Sequence, residues 1–94
     1  MSVDLEIYMN NIIKFFKNNP KDLQNLVPIH KEEEFFRKIR EVATSNSENG
    51  KEISLTQKQL LEICVVINGR EPKPIENFDE RVFVPSPFGF ICLN

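Results

Sequence analysis

Few side chains in this chain of 94 residues are suited to acid–base, nucleophilic or metal chemistry. The single histidine, His30, stands shortly before Glu32, Glu33 and Glu34. A histidine near carboxylates is the least that a general base needs, but no nucleophile or orienting group lies at a readable spacing from it. Consecutive helical residues fan out by about 100° each, so three neighbouring glutamates do not converge on one ion. They read instead as carboxylates gathered at the positive end of a helix dipole. The two cysteines, Cys64 and Cys92, are too few for a four-ligand zinc site or a disulfide framework. Cys64 reads as a small core residue. A Cys64–Cys92 bridge requires the C-terminal segment to pack on the helix carrying Cys64, and an oxidising compartment. The three glycines form no phosphate loop, and C-x-x-C, H-E-x-x-H and calcium-loop patterns are absent from the sequence. Residue types and spacing therefore predict no enzyme, no cofactor and no metal.

Composition sets the class. Hydrophobic residues make up 40% and charged residues 28%, the balance of a globular domain rather than a disordered chain. No apolar run approaches the ~20 residues of a membrane span, and the N-terminal MSVDLEIYMN lacks the basic start and apolar stretch of a signal peptide. The expected setting is cytoplasmic. Net charge is −2. Residues 1–43 carry seven acids and seven bases, and residues 44–94 carry seven acids and five bases. Neither half has the basic footprint that phosphate neutralisation leaves, which argues against nucleic acid as a partner.

The elements that position these side chains are mostly helical. Over residues 4–17, Leu5, Tyr8, Met9, Ile12, Ile13 and Phe16 make a stripe of 3.6-residue period. Ile7 lies nearly opposite that stripe and Phe15 at its edge, which suggests a second contact face. Asn19 and Pro20 are suited to N-cap and first helical position of a short helix ended by Pro28. A third helix is expected over residues 31–43, with Phe35, Phe36, Ile39, Val42 and Ala43 buried. Residues 44–52 are polar, contain Asn49-Gly50 and read as a flexible loop. Thr56 and Gln59 then match a T-x-x-Q capping box, flanked by the hydrophobic pair Leu55 and Leu60. Between Leu60 and Ile67 only Glu62 is polar, so this fourth helix should be central and wrapped by other elements. Gly69 suits its left-handed stop. The segment LTQKQLLEICVVING also has the look of a first helix of a helix-turn-helix, but Pro72 and Pro74 occupy the place of a recognition helix.

Residues 70–80 read as an extended crossing of the surface. Residues 81–84 and 88–93 then read as two short strands joined by Pro85-Ser86-Pro87. The expected fold is thus mostly α (α+β): one small domain of three long helices and one short helix, with a C-terminal β-hairpin over residues 81–93. Both faces of that hairpin are apolar and need cover. Its Phe83, Phe88, Phe90, Ile91 and Leu93 are the expected interaction residues, with a second copy of the chain or another protein as partner.

The stretches NPKDLQNLVP, EEEFFRKI, SLTQKQLLEICVVI and FGFICLN together resemble small uncharacterised proteins encoded by tailed phages of marine bacteria. The resemblance implies no activity and no site residues. The functional expectation is a small soluble protein-interaction module that self-associates through apolar surface. The alternative is a dimeric nucleic-acid-associated regulator, phage-encoded, which a continuous Lys/Arg stripe would favour.

Overall fold

A computed structural model describes residues 5–48 and 53–84. Among these, the chain forms five α-helices: α1 (Leu5–Asn18), α2 (Pro20–Leu26), α3 (Glu32–Glu48), α4 (Gln57–Asn68) and the single turn α5 (Glu80–Phe83). A 3₁₀ turn, Ile29–Lys31, leads into α3. The α1 stripe points inward as its period requires, with Tyr8, Met9, Ile12 and Phe16 buried. Phe35, Ile39 and Ala43 of α3 meet Leu60, Ile63, Cys64 and Ile67 of α4 in the same core.

The local signals act through identifiable bonds. Gln59 N–H donates to Thr56 Oγ1 and Thr56 N–H donates to Gln59 Oε1, both at 3.1 Å, completing the capping box. Leu55 and Leu60, either side of it, are fully buried. Gly69 closes α4 with φ +78°, a left-handed conformation in which an L side chain is strained. Asn19 occupies the N-cap position of α2, but its amide donates to Phe15 O at 2.8 Å and so closes α1 instead. The end of α4 is held from two places: Asn68 Nδ2 donates to Leu26 O at the end of α2, at 2.8 Å, and Lys31 Nζ of the 3₁₀ turn donates to Ile67 O at 3.0 Å.

Three expectations need correction. The helix expected over residues 31–43 continues to Glu48, taking in most of the polar stretch read as a loop. Helix propensity is poor there, but Asn46 Nδ2 donates to Ser54 O at 2.8 Å and to Gln59 Oε1 at 3.1 Å, so contacts with the segment before α4 override it. The second correction concerns α4, which is central through Leu60, Ile63, Cys64 and Ile67 but is left uncovered at Val65, 41% exposed, and Val66, 71%.

The third correction is the C-terminal β-hairpin, which is not present among the described residues. Its first strand, residues 81–84, falls on α5 and the residue after it, and no strand occurs among the described residues. The second strand, residues 88–93, lies outside the described residues. Val82 and Val84 favour a strand locally, but Asp79 Oδ1 accepts the Arg81 N–H at 3.0 Å and caps a helical turn. That turn delivers the Phe83 ring into the core and its carbonyl to two donors, Tyr8 Oη and the Leu55 N–H, both at 2.7 Å. Residues 70–79, between α4 and α5, carry neither helix nor strand and are tied down by Asn25 Nδ2 to Lys73 O and Gln57 Nε2 to Ile75 O.

Replacing Thr56 by Ala removes the acceptor for the Gln59 N–H and should lower unfolding free energy by about 1 kcal/mol. Denaturant unfolding of the two proteins measures the difference.

Candidate functional site

Of the expected interaction residues, Phe83 alone lies among the described residues. Phe83 is fully buried, its ring against Phe15 and Phe16 edge-on, at centroid distances of 5.2 and 5.9 Å, and stacked on Phe78 at 4.7 Å. It is a core residue and offers nothing to a partner. Phe88, Phe90, Ile91 and Leu93 lie outside the described residues. The second face suggested on α1 reduces to Ile7, which is exposed, because Phe15 turns into the aromatic cluster. Isolated exposed apolar residues of this kind are ordinary.

His30 sits exposed on the 3₁₀ turn, and Glu33 and Glu34 are exposed on the first turn of α3. No group of three or more His, Cys, Asp and Glu among the described residues is placed to hold a metal. Cys92 lies outside those residues, and Cys64 carries a free, fully buried thiol. Burial disfavours the thiolate and pushes that thiol up to about 11 from an ordinary 9.0. A thiol so buried and so hard to ionise is a packing group, not a nucleophile.

Among the described residues the exposed large apolar side chains are Ile7, Ile29, Val65, Val66 and Val84, and two of them, Val65 and Val66, lie on α4. Val66 projects from α4 beside a groove of about 290 Å³ whose floor includes Val42 and Ile63 and whose rim carries Lys38, Glu41 and Glu62. Val65 continues the apolar surface on the same helix. Lys38 Nζ and Glu41 Oε1 stand 3.7 Å apart, one turn from each other along α3, and both side chains are solvent-accessible. A signal for this face exists in the sequence: Lys58, Glu62 and Val65 fall at i, i+4 and i+7, a polar stripe that includes Val65. Three clefts among the described residues are larger. One, about 610 Å³, lies between α2 and the segment after α4, and its lining includes Asn25, Asn68, Arg70 and Glu71. A second, about 540 Å³, is lined by residues 77–81. The third, about 410 Å³, runs beside α1 with a mixed lining that includes Asn11, Lys14, Phe15 and Val82. None holds a buried charged group that would mark a built ligand site.

No helix among the described residues is long and apolar enough to cross a membrane. No protein-family model, curated protein or solved structure matches the chain.

The buried thiol gives the fold an alkaline limit. Above pH ~9 the unfolded chain loses the Cys64 proton while the folded chain keeps it to about 11, so the unfolded state binds fewer protons and stability falls as pH rises. The slope from this one group reaches at most ~1.4 kcal/mol per pH unit. Burial raises Tyr8 as well, which adds a loss of the same sign above pH ~10. Denaturant midpoints between pH 8 and pH 10 should therefore fall less steeply for Cys64→Ala than for the native chain.

Proposed function

We propose that this is a small protein-interaction module that self-associates through the α3–α4 face. The observation carrying this reading is the exposure of Val66 at 71%, with Val65 beside it, on a helix otherwise committed to the core. Apolar side chains next to a groove with a charged rim are the usual architecture of a surface that receives a helix. Four basic side chains among the described residues lend support by their engagement within the chain. Lys38 pairs with Glu41, Arg40 with Glu6 and Arg81 with Asp79, while Lys31 caps the end of α4. Cations interleaved with carboxylates suit a protein partner better than a phosphate backbone.

Val66 can be changed without disturbing the core, since exposed positions away from caps and buried networks usually shift stability by less than ~0.5 kcal/mol. The native chain should show a weight-average mass that rises with concentration in sedimentation equilibrium. Val66→Lys should hold the mass at 11.0 kDa across the same range. Equal behaviour of the two proteins would remove the α3–α4 face from the interaction.

A further inference from the structure

We infer that residues 70–84 dock on the rest of the chain as a bound peptide does, and that the groove they fill accepts the same segment from a second copy, so that two chains exchange it. Here the structure shows what covers the groove. Four hydrogen bonds join the segment to the rest of the described chain, and each ends on one of its backbone carbonyls. Asn25 Nδ2 donates to Lys73 O at 3.2 Å and Gln57 Nε2 to Ile75 O at 3.0 Å. Tyr8 Oη and the Leu55 N–H both donate to Phe83 O at 2.7 Å. Ile75 and Phe83, both buried, anchor the segment, with Phe78 and Val82 packed against the core beside them. Its ion pair, Arg81 with Asp79, is internal. Carbonyls met by fixed donors, with apolar anchors between them, are the terms on which a groove holds a peptide.

The hinge suits exchange. Gly69 ends α4 at φ +78° and turns the chain out of the helix. Pro72 and Pro74 then fix their own φ and push Glu71 and Lys73 into extended backbone. Residues 70–74 receive one described hydrogen bond from the body, the exposed one from Asn25. Extended, the stretch from Arg70 to Ile75 reaches up to about 20 Å, enough to carry α5 to a neighbouring copy. Withdrawal of the segment uncovers Phe15 and Phe16 and leaves the Tyr8 hydroxyl without its acceptor, so the groove demands an occupant of the same shape. In the exchanged dimer every groove makes the same bonds as in the monomer, and concentration decides between them. A short tether holds its own segment at an effective concentration on the order of 1 mM, so exchange is scarce below about 100 µM. Association through the α3–α4 face, on which this inference does not depend, is read at those lower concentrations.

The test uses two single variants of the full chain, N25C and K73C, each also carrying C92S. They are unfolded together, refolded as a mixture at about 5 µM or about 500 µM, and oxidised after folding, and the disulfides are mapped. Exchange sets position 25 of one chain beside position 73 of the other. The N25C-to-K73C cross-link should therefore exceed random pairing of the thiols, and its yield should rise about tenfold or more between the two concentrations. The double variant N25C/K73C, refolded at the lower concentration, should close its disulfide within one chain, which verifies both folding and docking. A double variant that closes while the mixed single variants give only random pairing overturns the exchange. A double variant that fails to close within one chain overturns the docking itself. Adding V66K to both chains should leave the cross-link unchanged; its loss would assign the pairing to the α3–α4 face and overturn the exchange.

Discussion

The carbonyl oxygen of Phe83 accepts two hydrogen bonds, from Tyr8 Oη and from the Leu55 backbone, and the arrangement of the helices depends on that convergence. Three distant parts of the chain meet there: the first helix, the lead into α4 and the last described turn. A carbonyl at a helix C-terminus has no partner within its own helix. Buried without one, it would cost about 1–3 kcal/mol. Two donors at 2.7 Å remove that penalty, and they also fix how deep α5 sits. That depth sets the Phe83 ring among Phe15, Phe16 and Phe78, where edge-on and stacked contacts add to the burial of the ring.

This anchoring at one end leaves a consequence at the other. With α5 and residues 70–79 tied against α1, α2 and the start of α4, the outer edge of the α3–α4 pair receives no cover from the described residues. The apolar surface there lies on the most hydrophobic helix of the chain. Its polar interruptions, Lys58 and Glu62, are spaced to keep one stripe wet. The core residues of α4 hold the helix in place, and Val65 and Val66 are what it presents outward. Under the proposed function, stability and interaction share one element and divide its faces.

What was legible in the sequence was local. The capping box at Thr56 and Gln59, the Gly69 stop and the inward stripe of α1 each rest on residues within one or two turns of one another, and each has its expected geometry. What was illegible depended on partners far along the chain. Residues 44–48 look like a loop until Asn46 finds Ser54 and Gln59. Residues 81–84 look like a strand until Asp79 caps them and Tyr8, 75 positions away, takes the Phe83 carbonyl. The same distance effect misread Phe83. Phe83 seemed available because a strand would have put it on a face, whereas the helical turn buries it. Val65 and Val66 seemed buried because the apolar run was read without the stripe that crosses it.

The central claim is that the bonded Phe83 carbonyl organises the fold, and Tyr8→Phe tests it most directly. The ring and its packing remain, and only the hydroxyl that donates at 2.7 Å is lost. Chemical denaturation at neutral pH should show a loss of about 1 kcal/mol, the net worth of one buried hydrogen bond. Amide exchange should show weakened protection at Leu55 and Phe83 ahead of the α3–α4 core. Unchanged stability together with unchanged protection at those two amides would contradict the account.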